Sequence, residues 1–521
     1  MKTIIPFIFF TCSTIYSFGQ LTEEDLDYNN AAATVGNSGS FFTSAQNGAG
    51  YEVPKGGGVD AIYTSQFWFA ARDINGTVYT SLGGNGQNTD VDQGPYSTSN
   101  SYSDPDYDKP YMITLCQEEI DQFNLWWECE NGIANPDCAT AVEPSSDVLN
   151  SIYGWPANGD PSLGQAFQLA PFFDRDGDGT YNPIASGDYP LIKGCCATYM
   201  IQNDQGNPHT VLTSGPMGIE MHYLFYQFGA NTDLYNTTFV DVMVINRGTQ
   251  NYPEFALSFM ADADLGSPVD DYFGSDSTTN TMIFYNADNL DEGGYLDNPP
   301  AIGVTALELP STSIMSFGFA PSTPVQAWNL SNGLQPNGAP ILDPNGDATT
   351  FLAYGDPNDP TQWNETSAGY IAGDRRGLNT TKIQSFNSGD TLLQSYAIVY
   401  AEGGNHLENA SNVINLASWA KTFYDTEIDN GCEAGGIAIT PVLNAEQILI
   451  YPNPNNGTFI IESPNAQVKS IQIFDLAGKE VGFTKEGSLV WNVSLQSAAS
   501  GVYIINVQTE TGIIVERLVV E

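Results

Sequence analysis

Basic side chains are scarce in this chain. Fifteen lysines and arginines stand against 61 aspartates and glutamates in 521 residues, giving a formal net charge of −46. Neutralising phosphates takes clustered bases, so nucleic acid is excluded as a partner. An anionic membrane surface would repel the chain for the same reason. Histidine is scarcer still, with three residues, His209, His222 and His406. No H-E-x-x-H, no G-x-S-x-G and no phosphate-cradling glycine loop occurs, so the common signatures of zinc proteases, serine hydrolases and nucleotide enzymes are missing. Beyond the N-terminus no apolar run is long enough for a transmembrane segment.

What is present points to an exported, β-rich protein. Met1-Lys2 is a short basic start, Ile4 to Tyr16 is mostly apolar, and Ser17-Phe18-Gly19 places small residues before Gln20. This is the three-part pattern of a cleaved signal peptide, over residues 1–19. Removing it leaves six of the seven cysteines, Cys116, Cys129, Cys138, Cys195, Cys196 and Cys432. An even count in an exported chain predicts disulfides. Cys129 and Cys138 bracket a short turn-rich loop and are the first pair expected. Adjacent Cys195 and Cys196 are expected to take different partners. With 51 glycines and 30 prolines, turns are many. β-branched and aromatic runs predict a mainly β fold: a large β-sandwich-like body over 20–444, in one piece or two subdomains, with few helices. Met221–Phe228 and Leu392–Ala401 are the candidate central strands. One helix is expected over Leu407–Tyr424 and a shorter one over Gln117–Cys129.

From residue 445 the texture changes. Seven short apolar runs alternate with turn signals to the end of the chain, which predicts a small C-terminal Ig-like β-sandwich over 445–521. Tyr451-Pro452-Asn453-Pro454, Asp475-Leu476-Ala477-Gly478-Lys479, Gly501-Val502-Tyr503-Ile504 and Arg517-Leu518-Val519-Val520 follow in order. Together they resemble the type A sorting domain of the type IX secretion system of Bacteroidota. The resemblance implies handling by the type IX secretion machinery and delivery to the outside of the cell, secreted or on the outer surface. The body is similar to a recurrent exported protein of the same phylum. The likeness runs through Trp68-Phe69-Ala70-Ala71-Arg72-Asp73, Leu169-Ala170-Pro171-Phe172-Phe173-Asp174, Asp264-Leu265-Gly266 and Gly373-Asp374-Arg375-Arg376. It implies no particular activity.

The sharpest chemical motif is Asp174-Arg175-Asp176-Gly177-Asp178-Gly179-Thr180-Tyr181-Asn182. Asp174, Asp176 and Asp178 alternate as in the first three ligand positions of a calcium loop, and Gly179 stands where such a loop turns sharply. Thr180 would offer its carbonyl and Asn182 its side chain or a water. The twelfth position is Ala185 rather than a glutamate, so Asp188 is expected to close the shell. The competing reading is a solvated acidic turn. A second acidic cluster, Asp262, Asp264, Asp270, Asp271 and Asp276, has no known ligand spacing. Glu220 and His222 fall on one face of a strand, where a satisfied sheet histidine competes with a site. These features lead to a calcium-stabilised, non-enzymatic extracellular or cell-surface protein, adhesive or structural, with polysaccharide or a cell surface as partner. The alternative is a secreted hydrolase acting on polysaccharide through paired carboxylates.

Overall fold

The computed structural model describes residues 22–44, 48–84, 89–229, 234–426, 428 and 432. Beyond 448 it describes 449–451, 455, 457–462, 469–475, 481–486, 490–495, 501–508 and 513–520. The expected signal peptide over 1–19 and the turn motifs at 452–454 and 476–479 lie outside the described residues. The chain divides into two compact units, 1–436 and 437–521.

In the first unit a nine-stranded and a six-stranded antiparallel sheet share one core. The larger sheet is built around Cys196–Asn203, Ile219–Gln227, Thr238–Asn246, Thr391–Ala401, Ala301–Ala306, Thr281–Asn286 and Asp271–Asp276. The smaller one centres on Thr64–Arg72, Tyr252–Asp262, Arg376–Phe386 and Ser313–Phe317. Alternate residues of each strand face the partner sheet. Phe67 from the smaller sheet stacks on Tyr223 of the larger at 5.4 Å, and Phe259 meets Tyr396 at 5.2 Å. Rings of this size bury the largest apolar areas available to side chains, so this layer dominates the packing.

The outward faces are also covered. Helix α4, His406–Thr426, starts where Asn405 Oδ1 accepts the amide protons of Leu407 and Glu408 at 3.1 Å. Its residues Ala410, Val413, Ala417 and Ala420 repeat at helical spacing and pack with Phe239, Ile283 and Val399 of the larger sheet. Gly303 lets it approach closely, since a Cβ there would lie 2.4 Å from Val413. Helices α1, Gln117–Glu130, and α2, Ser146–Tyr153, cover another part of the same face through Ile120, Phe123, Trp127 and Ile152. Helix α3, Pro324–Ser331, covers the outer face of the smaller sheet with Ala327, Trp328 and Leu330. Thr323 caps it and Pro324 supplies its first position.

Three disulfides tie this unit: Cys116–Cys196, Cys129–Cys138 and Cys195–Cys432. Cys129 pairs with Cys138 as its spacing suggests, and the adjacent cysteines take different partners. The Cys116–Cys196 bond joins residues in register on neighbouring strands. The Cys195–Cys432 bond, between residues 237 apart in sequence, fastens Cys432, beyond α4, to the start of the strand Cys196–Asn203.

The second unit is a small sandwich. A four-stranded sheet (Leu449–Tyr451, Thr458–Glu462, Val490–Leu495, Phe483–Glu486) and a three-stranded one (Ser470–Asp475, Gly501–Gln508, Ile513–Val520) share a core. Phe459, Ile461, Ile473, Trp491, Val493, Ile505 and Leu518 form it. The mainly β reading thus holds in both units.

Removing one ring from the inter-sheet layer tests the packing of the body. Phe67→Ala should cost about 3–5 kcal/mol in denaturant unfolding, the usual range for a deleted core ring. A loss below about 1 kcal/mol would place Phe67 outside the stabilising layer.

Candidate metal centre and secretion module

The Asp174 motif folds into a loop pinched shut at its base. Phe172–Phe173 pairs antiparallel with Tyr189–Pro190, so residues 174 and 188 start from adjoining strands. One carboxylate oxygen from each of Asp174, Asp176 and Asp188 lies within 4.8 Å of the others. Asp188 is fully buried; its Oδ1 accepts the Arg175 amide at 2.9 Å and its Oδ2 the Asn182 amide at 2.7 Å. Asp174 accepts the amides of Gly177 and Gly179 at 2.8 and 2.7 Å. The Gly179 hydrogen bond leads the effects that hold the Asp174 carboxyl below its ordinary value. Gly177 and Gly179 both take φ near +77°, which L side chains rarely adopt.

The other expected ligands divide. Asp178 stays in the loop, but its Oδ1 accepts the Thr180 amide at 2.7 Å and it does not join the trio. Thr180 is exposed. Asn182 is held at the trio's edge through its amide to Asp188, while its Oδ1 accepts the Ala185 amide. Ser186, absent from the sequence reading, donates to Asp176 Oδ2 at 2.8 Å. Arg175 turns away from the carboxylates. Its guanidinium pairs with Glu128 at 2.9 Å and lies 5.1 Å from the Trp127 ring, on α1. The base in the motif is therefore spent on the support, pairing with Glu128 rather than with the trio.

The loop is seated firmly. Trp127 Nε1 donates to the Ile184 carbonyl at 3.0 Å, and Gly187 presses on the same indole so closely that a Cβ would lie 2.4 Å from it.

The other motifs separate in space. Asp276 accepts the Thr279 amide and hydroxyl in its own turn. Asp271 is fully buried, and burial pushes its carboxyl well above the usual range. Asp262 and Asp264 instead meet Asp374, which the linear pattern did not connect to them. His222 is a satisfied sheet histidine: its Nδ1 lies 2.6 Å from the Tyr199 hydroxyl and its Nε2 2.9 Å from Glu220 Oε1. Arg247 adds a 2.8 Å ion pair to the same carboxylate. Burial works against ionising Glu220, but His222 and Arg247 outweigh it and hold the carboxyl down to about 2.

The C-terminal sandwich decides the cellular address. Residues 449–521 match the family described as the secretion system C-terminal sorting domain. The chain is an exported cargo. It is delivered outside the cell, secreted or on the outer surface, as the four motifs from Tyr451 to Val520 imply. No helix among the described residues is long and apolar enough to cross a membrane. No curated protein matches the chain. Solved structures are similar only loosely. A polysaccharide lyase aligns over 88% of this chain and 46% of its own, at 6% identity and a TM-score of 0.20. A copper-containing benzylamine oxidase from Hansenula polymorpha aligns over 80% and 65%, at 7% and 0.30. The lysyl oxidase of Pichia pastoris aligns over 73% and 50%, at 11% and 0.27. The chain thus spans between 46% and 65% of these structures, and at such scores they carry no argument about activity.

The Glu220 network gives a pH test. A carboxyl whose pKa is depressed on folding adds stability that is present above its unfolded value and is lost as pH falls through the folded one. For Glu220 that window runs from 4.5 down to about 2. Glu220→Gln should flatten the fall in melting temperature across this window relative to the parent. Parallel slopes for the two proteins would count against the network.

Proposed function

We propose that the chain is a calcium-stabilised, non-enzymatic protein of the extracellular space or outer cell surface, adhesive or structural in role. In this reading a signal peptide over 1–19 is removed, the body spans 20–444 and the sorting domain spans 445–521. The observation that carries it is the convergence of Asp174, Asp176 and Asp188 in one pinched loop. Calcium takes six to eight oxygens at about 2.3–2.6 Å. Each of the three carboxylates is already oriented by an amide or hydroxyl. Asp178, Thr180 and Asn182 lie in the same turn, close enough in sequence to complete the shell by small rotations. Asp188 stands in for the glutamate missing at Ala185.

Polysaccharide or a cell surface is the partner that fits the body. A groove of about 820 Å³ is lined by Asp73, Ile74, Asn75, Tyr79, Gln250 and Gln384, among others. Amides offer a donor and an acceptor side by side, which suits sugar hydroxyls, and Tyr79 supplies a flat apolar face. Asp73 is the single carboxylate of this groove and accepts the amides of Asn75 and Thr77 in its own turn. Glycoside hydrolysis needs two facing carboxyls, so the groove is suited to holding a glycan rather than cutting it.

Thermal unfolding of the purified chain in calcium and in chelator tests the metal. Calcium at 100 times its Kd should add about 2.7 kcal/mol of stability. Asp174→Asn together with Asp188→Asn should abolish the difference. Equal midpoints for the parent with and without calcium would overturn the assignment. Adhesion is read by co-sedimentation with insoluble polysaccharide and with whole cells. Gln250→Ala and Gln384→Ala should weaken it several-fold, and no sedimentation of the parent with either would remove the adhesive role.

A further inference from the structure

We propose that Asp262, Asp264 and Asp374 form a second divalent-cation site, at one end of the six-stranded sheet and independent of the loop at 174–188. Asp262 ends the strand Tyr252–Asp262, in register with Thr64 on one side and Arg376 on the other. Asp264 lies two residues further on. Asp374 arrives on the segment entering Arg376–Phe386, where the Gly373 amide is tied to the Asp271 carbonyl at 3.1 Å. One carboxylate oxygen of each aspartate lies within 4.8 Å of the other two.

An observation independent of that clustering points to a ligand. The Asp262 side chain is 9% exposed, and its Oδ2 accepts Arg376 Nε at 2.9 Å. Its Oδ1 is buried and receives no hydrogen bond. Buried carboxylate oxygens are nearly always partnered, because losing water without replacement is costly. A cation bound between the three carboxylates supplies the missing partner. Asp264 is half-buried, and no donor among the described residues reaches its carboxylate.

The charge count sets the valence. Three carboxylates meet a single guanidinium, leaving two negative charges uncompensated. Arg376 has no further reach: Nε holds Asp262, one terminal nitrogen holds Asp374 and the other donates to the Gly318 carbonyl. Arg375 is turned away, onto Glu365 and the Ile371 carbonyl. The carboxylates of Asp262 and Asp374 face that of Asp264, and a bound cation would offset their mutual repulsion. An all-oxygen donor set favours a hard ion, so calcium is assigned ahead of zinc.

The test uses the full chain and calcium titrated calorimetrically. The parent should show two classes of site. Asp264→Asn with Asp374→Asn should remove one class and leave the other, which Asp174→Asn with Asp188→Asn removes instead. Binding that the first pair leaves unchanged would overturn the second site, whatever the loop variants do. Melting gives a second readout with a characteristic sign. In chelator, Asp264→Asn relieves repulsion and should raise the midpoint. In calcium, the same variant should gain less from the metal than the parent does. A variant that is lower in chelator and keeps the full calcium increment would also overturn the site.

Discussion

The contact between the two sheets of the body constrains everything else in it. Phe67, Tyr223, Phe259 and Tyr396 close the space between them, and each sits on a strand whose other face is also covered. Strands buried on both faces lose the alternation of apolar and polar residues. Ile219–Gln227 is buried at eight of nine positions. Polar residues caught in such a layer must find partners inside the protein. Asn379 donates to the carbonyls of Asn280 and Val304, and Gln394 bonds Thr381 and the Leu309 carbonyl. These bonds knit the loops at the sheet ends to the strands, and Asp262 lies at one such end.

The same constraint decides what could be read from the sequence. Met221–Phe228, Leu392–Ala401 and α4 were legible because their apolar character or helical stripe is local. The strand Arg376–Phe386 was not. Its run of Asn379, Thr380, Thr381 and Lys382 looks like a loop, and it becomes a central strand only because Tyr252–Asp262 and Ser313–Phe317 pair with it on both sides. The seven C-terminal strands were legible as seven short apolar runs, since each is bounded by turn residues in the sequence. Among the site residues, the alternating Asp174, Asp176 and Asp178 are a local pattern, and Asp188 lies near enough to suggest. Asp374 had no linear link to Asp262; strand register alone joins them. The grouping of Asp276 with Asp262 failed for the converse reason. Nearness in sequence did not survive the turn after Asp264.

Scarcity of bases then connects the fold to the acidic sites. Every lysine and arginine from 55 to 421 is ion-paired, and several pairs brace secondary structure. Arg72 and Lys382 both hold Glu254 and both lie over the Trp328 ring, locking α3 to its sheet. Arg175 locks the acidic loop to α1, and Arg376 bridges two strand ends. Between residues 55 and 421 the bases thus serve as braces within the fold, and Arg376 supplies the positive charge at the Asp262 cluster.

That allocation has a consequence for a protein working outside the cell. Where three carboxylates converge with one arginine or none to meet them, the remaining ways to relieve repulsion are protonation and a cation from solution. In the loop at 174–188 the Gly179 amide already holds Asp174 towards its charged form, which argues against protonation there. At Asp264 burial, followed by the charges of Asp262 and Asp374, presses towards the neutral acid. The two clusters therefore represent opposite preparations of the same chemistry. One has its charge held by backbone amides, and the other carries it against burial and neighbouring carboxylates. A cation entering the first cluster would meet carboxylates already held by backbone amides, and one entering the second would meet carboxylates crowded against one another.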